Sequence, residues 1–207
     1  MSPSTRAEET AAKSGRRAEL LDLAAALFAE RGTRATTVRD IADAAGILSG
    51  SLYHHFDSKE SMVDEILRRF LDDLFGRYSV ITESGLGARA TLEALVVASF
   101  EAIDSSHAAV AIYQDEAKHL VGNERFAYIT ERNREFRTLW VSVIESGVAD
   151  GSFRPDIDIE LVYRFMRDTV WVAVRWYRPG GPMTAETVAK QYLAIVLDGL
   201  SSPDAQH

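Results

Sequence analysis

The stretch from Thr36 to Lys59 reads TTVRDIADAAGILSGSLYHHFDSK and predicts two short helices separated by a tight turn. Thr37 is expected to cap the first helix, and Asp40, three residues later, completes a variant of the capping box. Gly46 is expected to end this helix, because glycine tolerates the positive φ that such a turn needs. The pattern is that of a helix-turn-helix. A helix-loop-helix inside any helical domain has the same bare geometry and remains an alternative.

The second helix of this stretch has two different sides. Leu48, Leu52 and Phe56 are expected to face inward at helical spacing. The other side carries small or hydrogen-bonding residues, which suits a helix lying in the major groove of DNA. Lys59 falls in the first turn of a third helix, where positive charge and free N–H groups favour a phosphate. The candidate DNA contacts are Thr37, Arg39, Ser49, Gly50, Ser51, Tyr53, His54 and Lys59.

The order of these residues resembles a known family. Thr-x-x-x-Ile-Ala-x-x-Ala-Gly begins at Thr37, Leu-Tyr-x-His-Phe follows from Leu52, and Phe-x-Ser-Lys-Glu begins at Phe56. This string resembles the N-terminal DNA-binding domain of the TetR family of bacterial repressors. The resemblance implies an all-α chain, with a three-helix helix-turn-helix domain and a larger C-terminal helical domain for ligand binding and dimerisation. It also implies a homodimer that binds double-stranded operator DNA.

Composition is compatible with this function and excludes others. The 207 residues carry a net charge of −8, yet residues 1–60 hold eight Lys/Arg against nine Asp/Glu, so the acidic excess lies mostly in the rest of the chain. A nearly neutral DNA-binding domain predicts few phosphate contacts. The chain has no cysteine, which excludes thiolate metal sites and cysteine nucleophiles. We find no apolar leader and no apolar run that could span a bilayer, so we expect a cytoplasmic protein without membrane contact.

The predicted domains are a flexible N-terminal arm at 1–15, the helix-turn-helix domain at 16–60 and the ligand-binding and dimerisation domain at 61–207. Arg16 and Arg17, after the arm, are expected to solvate the start of a helix, or alternatively to touch a phosphate. A helix from Ser58 to about Tyr78 carries a broad apolar stripe and is expected to pack in both domains.

The penultimate helix, predicted over Asp156–Arg178, carries the candidate ligand site. Arg167 and Arg175 lie one turn on either side of Trp171, and neither has an acidic residue at i±3 or i±4. An indole between two guanidinium groups suits a ligand with a bulky apolar body and an anionic part. The alternative is a solvated helix face or a set of salt bridges between subunits. The residues by themselves favour that alternative.

The run from Val162 to Pro182 resembles the ligand domain of TetR-type repressors that control cholesterol catabolism in actinobacteria. This resemblance implies that Arg167, Trp171 and Arg175 hold a CoA thioester of a steroid-ring degradation intermediate as the effector. It also implies a homodimer through the last two helices. A repressor that responds to another acyl-CoA or another apolar anion remains an alternative.

The sequence agrees less well with two other classes of protein, an enzyme and a DNA scaffold. An enzyme acting on CoA thioesters needs a positioned acid, base or nucleophile. His54 and His55 fall in the predicted reading helix, His107 and His119 have no obvious carboxylate partner, and His207 is terminal. No metal-ligand spacing, P-loop or dinucleotide fingerprint appears, so no catalytic residue, metal or cofactor is expected. A DNA scaffold without a regulatory role has no use for a large ligand-binding domain.

Overall fold

The computed structural model describes residues 3–120 and 122–200. Residues 1, 2, 121 and 201–207 lie outside the described residues, and so do the outer end of the predicted arm and the last residues of the predicted C-terminal domain. The described residues form helices and no strand. The chain divides into two compact units, Met1–Arg69 and Phe70–His207.

The first unit contains α1 (Pro3–Arg31), α2 (Val38–Ala44), α3 (Ser49–Leu52) and the beginning of α4 (Lys59–Glu83). Its buried apolar residues include Leu20, Leu21, Ala24, Ala25, Phe28, Ile41, Ala42, Leu52, Phe56, Met62, Val63, Ile66 and Leu67. These positions confirm the helical periodicity of the sequence. The first unit therefore has a core of its own around the helix-turn-helix.

The local chemistry of the turn is as predicted. The Thr37 hydroxyl accepts from the Asp40 backbone N–H, and the Asp40 carboxylate accepts from the Thr37 backbone N–H, so the capping box is complete. Gly46 has φ +65° just after α2, where a side chain is strained. The prediction for Leu48 is wrong: it is the N-cap of α3, makes no side-chain cap bond and is 80% exposed. The extended backbone of a cap residue turns its side chain off the buried stripe of the helix.

Two predicted boundaries differ from the structure. α1 begins at Pro3, so helix occupies the segment 3–15 where the sequence analysis expects a flexible arm. That segment contains three Ala, two Glu, one Arg and one Lys, which favour helix even without an apolar stripe. The division between the units falls inside α4, beyond the predicted boundary at residue 60. Because α4 is continuous there, no break in periodicity marks it.

Within residues 70–120 and 122–200, the second unit contains the rest of α4 and five further α-helices. These are α5 (Ala88–Ser105), α6 (His107–Leu120), α7 (Ala127–Ala149), α8 (Ile159–Val172) and α9 (Ala185–Leu200). α5 is central, because it packs against α6, α7, α8 and α9. A buried hydrogen bond of 2.5 Å joins the hydroxyls of Tyr78 on α4 and Ser99 on α5, and burial raises the pKa of Tyr78, which keeps this hydroxyl neutral.

Among the described residues, no single helix is long and apolar enough to cross a membrane. One pair, Ala88–Ser105 with His107–Glu116, meets the length and composition test together but is bent by 99° at its break.

Candidate DNA-reading surface and ligand site

α3 presents the predicted DNA contacts around a buried anchor. Leu52 and Phe56 are 2% and 4% exposed, which fixes the inward side of this short helix and of the turn that follows it. Gly50, Tyr53 and His54 are exposed, and a Cβ built at Gly50 meets no atom within 4 Å. Ser49 and Ser51 are half-buried. The structure therefore brings these five residues together on one short, open element, as the sequence analysis expects.

α2 contributes two predicted contacts of different character. Arg39 is largely exposed, and its Nε lies 3.7 Å from the Asp43 carboxylate one turn away. Exposed pairs of this kind stabilise by at most about 1 kcal/mol, so the guanidinium can exchange this partner for a phosphate. The Thr37 hydroxyl is engaged in the capping box at 2.6 and 3.1 Å. Thr37 is therefore first of all a helix cap.

Lys59 lies in the first turn of α4, as predicted, but its ammonium group binds the protein's own backbone. Its Nζ donates to the carbonyls of Thr33 at 2.6 Å and Thr36 at 3.0 Å, in the loop between α1 and α2. This ammonium holds the loop and is turned toward the protein. Sequence spacing does not reveal the contact, because the partners lie more than twenty positions away.

Two exposed residues near the predicted contacts were missed. Arg34 is exposed in the loop between α1 and α2, where its charge is available to a phosphate. Leu48 is exposed at the start of α3, in the part of a reading helix that usually meets base edges. Arg34 could have been identified from the sequence, because it is a basic residue in the loop before α2. The apolar character of Leu48 concealed its exposure.

The predicted penultimate helix is shorter than the sequence analysis expects. α8 starts after Asp158, whose carboxylate accepts from the Leu161 backbone N–H at 3.0 Å, and ends at Val172. A 3-10 turn, Ala173–Arg175, follows it. The prediction of one helix through Arg178 is therefore wrong beyond Val172. Arg175 lies in the 3-10 turn and not in the α-helix that holds Arg167 and Trp171.

Both candidate arginines have carboxylate partners that the i±3 and i±4 search missed. Arg167 is 46% exposed, and its Nε and Nη2 each lie 2.7 Å from Oδ1 of its neighbour Asp168. Arg175 is 68% exposed and lies 3.9 Å from the Asp115 carboxylate on α6. The description of these guanidinium groups as unpaired is therefore wrong. Both pairs are open to solvent and weak enough to exchange.

Trp171 forms an aromatic cluster with Phe70 and Tyr113. The ring centroids of Phe70 and Trp171 are 6.2 Å apart in an edge-on arrangement, and those of Phe70 and Tyr113 are 6.3 Å apart. The Tyr113 hydroxyl donates to Asn133 on α7, and burial raises the pKa of Tyr113. α4, α6 and α8 thus bring the Phe70 ring, the Tyr113 ring and the half-buried Trp171 indole together next to Arg167.

The Arg167 guanidinium itself lies over a different ring. Its Cζ is 5.6 Å from the centroid of Tyr163, one turn earlier on α8, a distance that permits a cation–π contact. Burial also raises the pKa of Tyr163, which keeps this phenol neutral. Arg167 therefore has an aromatic support below it and an exchangeable carboxylate beside it.

An open groove of about 550 Å³ lies between α4 and α5, away from these residues. Its floor is apolar, but its rim carries the carboxylates of Asp72, Asp73 and Glu101 against the single cation of Arg77. Arg77 is paired with Asp73 at 2.9 Å. A rim of this charge does not favour an anionic ligand.

α8 exposes an apolar stripe on another side. The stripe consists of Leu161, Phe165, Val172 and, after the 3-10 turn, Trp176, which are 48%, 68%, 43% and 51% exposed. α9 adds Ile195, which is 77% exposed. Within one chain these side chains remain open, and contiguous exposed apolar surface of this kind marks interaction sites.

Comparisons with known proteins agree with this architecture. A family described as "Bacterial regulatory proteins, tetR family" matches residues 20–66, and one described as "Tetracyclin repressor-like, C-terminal domain" matches residues 85–200. The HTH-type transcriptional repressor KstR2 of Rhodococcus jostii (strain RHA1) is 77% identical over 197 residues, which cover 95% of this chain and 97% of that protein.

Two further matches come from one other organism. The HTH-type transcriptional repressor KstR2 of Mycobacterium tuberculosis (strain ATCC 25618 / H37Rv) is 64% identical over 186 residues, which cover 90% of this chain and 93% of that protein. A solved structure described as the ketosteroid transcriptional regulator KstR2 of Mycobacterium tuberculosis superposes with a TM-score of 0.89 at 64% identity. That superposition covers 90% of this chain and 95% of the other.

Proposed function

The chain belongs to the TetR family of bacterial transcriptional regulators, and from that premise we propose that it represses steroid-catabolism genes and is released by a CoA thioester. It is a DNA-binding repressor rather than an enzyme. The description of a 64% identical protein as a ketosteroid transcriptional regulator supports the steroid assignment. The effector is a CoA thioester of a steroid-ring degradation intermediate.

One observation carries the ligand assignment: the aromatic cluster lies beside the exposed, exchangeable guanidinium group of Arg167. A CoA thioester combines several phosphate charges with an apolar acyl group. Arg167 and Arg175 supply charge-assisted hydrogen bonds to the anionic part, while Trp171 and its ring neighbours offer apolar surface to the rest. Asp168 and Asp115 hold the two guanidinium groups until a phosphate replaces them.

The repressor acts as a homodimer through α8 and α9. The exposed stripe with Phe165 and Trp176, together with Ile195, supports this interface, since its burial removes large apolar side chains from water. Two-fold symmetry also matches the paired half-sites that helix-turn-helix dimers bind. Phe165→Asp is then expected to convert dimer to monomer in sedimentation velocity and to abolish operator binding. A dimer that persists with this variant contradicts the interface.

Release follows from the position of Phe70 on α4. Phe70 contacts Trp171, and α4 continues from Phe70 into the first unit without a break. An effector that displaces Trp171 is therefore expected to shift α4. The two reading helices then no longer match a half-site spacing of about 34–36 Å, and affinity for the operator falls.

The test is a fluorescence anisotropy titration on DNA from upstream of the protein's own gene. The bound complex is titrated with steroid-ring-derived CoA thioesters, with the corresponding free acids and with a long-chain acyl-CoA. Release by the ring-derived thioester alone is the expected result. Release by a long-chain acyl-CoA or a free acid assigns a different effector, and undisturbed binding removes the CoA proposal while leaving the DNA reader. Absence of binding to any such DNA contradicts the repressor itself.

A further inference from the structure

Arg16 and Arg17 occupy neighbouring positions on α1 and were expected to solvate a helix start or to touch a phosphate. The structure gives both of them internal partners instead. Arg16 donates from Nη2 to the Ala45 carbonyl at the end of α2, at 3.1 Å. Arg17 donates from Nε to the His55 carbonyl, in the turn that follows α3, at 3.4 Å. Consecutive residues thus hold the ends of the two helices of the helix-turn-helix.

Arg17 makes two further contacts that Arg16 lacks. Its Nη1 pairs with the carboxylate of Glu65 on α4, and its Cζ lies 4.4 Å from the centroid of the Phe56 ring. Arg17 and Glu65 are only 39% and 28% exposed. One guanidinium therefore joins α1, the turn after α3 and α4 at a single point.

We propose that Arg17 is a positioning residue that fixes α3 against α4, and that it does not itself contact DNA. This inference rests on the proposed function only in requiring that the chain reads a specific operator. Base readout depends on the orientation of α3, whereas phosphate contacts carry little sequence information. Arg17 is therefore expected to control specificity for the operator more than general affinity for DNA.

The need for such a residue follows from the size of α3. A helix of four residues has no stability of its own, and Leu48 supplies no side-chain cap. Its orientation must come from tertiary contacts, namely the buried Leu52 and Phe56 and the carbonyl of His55. Arg17 covers the Phe56 ring and binds that carbonyl at once, which the planar, forked guanidinium allows and a lysine does not.

Arg16 is a matched control. It lies next to Arg17 on α1, has the same charge and is 42% exposed against 39%. Its partners are the Ala45 carbonyl and Glu19 on its own helix, so it holds neither the turn after α3 nor α4. Removing its charge repeats the electrostatic change and releases a contact to the end of α2, but it leaves the contacts to the turn after α3 and to α4 in place.

The test measures the affinities of Arg17→Gln, Glu65→Gln and Arg16→Gln for the operator and for a scrambled duplex, at several salt concentrations. Melting temperatures of the three variants are recorded as well.

We expect the ratio of operator to scrambled affinity to fall about tenfold in Arg17→Gln, the loss expected when charge-assisted contacts no longer hold the reading element. Glu65→Gln lowers the same ratio about threefold, because a neutral amide holds the guanidinium less firmly. Arg16→Gln keeps the ratio within about twofold, since its partners lie on α1 and α2.

A direct phosphate contact by Arg17 gives the opposite pattern and overturns the inference. Arg17→Gln then weakens both duplexes equally and reduces the salt slope by about one per contact, while Glu65→Gln strengthens both because it releases the cation. If Arg17 has only a structural role, Arg17→Gln lowers the melting temperature and leaves the ratio of operator to scrambled affinity unchanged. That result also overturns the inference. If the wild-type protein prefers no operator, the proposed function fails and this inference fails with it. Wild-type specificity with an unaffected ratio in Arg17→Gln refutes this inference alone.

Discussion

Substitution of Arg167 by methionine tests the ligand site most directly. The guanidinium is 46% exposed, and its partner Asp168 is 68% exposed, so the lost ion pair contributes at most about 1 kcal/mol to the free energy of unfolding. A charge-assisted hydrogen bond to a bound phosphate contributes about 1.5–3 kcal/mol. The effector concentration for half-release is therefore expected to rise about 10- to 150-fold, while operator affinity without effector stays unchanged.

The assay is anisotropy of labelled operator titrated with the steroid-ring CoA thioester, with a urea unfolding curve for each variant. Arg89→Met is the matched control, because Arg89 is 47% exposed and is paired with Glu93 at 3.2 Å on α5. Its half-release concentration should equal that of the wild-type protein. Asp168→Asn should shift release the other way, to lower effector concentration, since it removes the carboxylate that competes for Arg167.

The reasoning is refuted if Arg167→Met responds to effector like the parent, or if Arg89→Met loses as much response. A loss of operator affinity in Arg167→Met before any effector is added also contradicts it. That result assigns Arg167 to the architecture of the second unit, or to a subunit interface, instead of to ligand binding.

Further predictions concern stability. Gly147→Ala places a Cβ 2.1 Å from Cδ2 of Phe153 in a buried site, so the free energy of unfolding should fall by about 2 kcal/mol or more in urea titrations. Gly76→Ala, in open space on α4, should instead raise it by up to about 1 kcal/mol, and equal effects of the two would contradict the packing seen at Phe153. The Thr37 hydroxyl and then its backbone N–H lower the pKa of Asp40 below 3.8, so the cap stabilises α2 above that pH and is lost as pH falls through the folded value. Carboxyl NMR should find the Asp40 midpoint below 3.8, and a midpoint at or above it would contradict the capping box.

Sequence reasoning succeeded where adjacent residues contain the structural information. The capping box, the positive φ of Gly46 and the apolar row of α4 depend on neighbours within one turn. All five residues of that row, Met62, Ile66, Phe70, Leu74 and Tyr78, are buried as the i, i+4 spacing predicts. Helical periodicity and caps are properties of local chain geometry, so they can be found without knowledge of the fold.

It failed where a charged side chain chooses a partner far along the chain. Lys59 binds carbonyls in the loop before α2, and Arg175 lies near Asp115 on another helix. The pairing of Arg167 with the adjacent Asp168 escaped a search limited to i±3 and i±4. Long side chains reach several carboxylates and carbonyls at similar distances, and only the packed structure decides among them.

The contacts of these cations with the protein's own backbone also determine how much positive charge the DNA-reading unit exposes. Arg16, Arg17 and Lys59 are turned toward backbone carbonyls, which leaves Arg31, Arg34 and Arg39 as exposed cations near α2 and α3. Few exposed cations mean weak general attraction to DNA and a shallow salt dependence. Discrimination must then come from the fit of α3 to base edges. A unit that relies on fit needs its reading helix held rigidly, and contacts to backbone carbonyls give its cations that role.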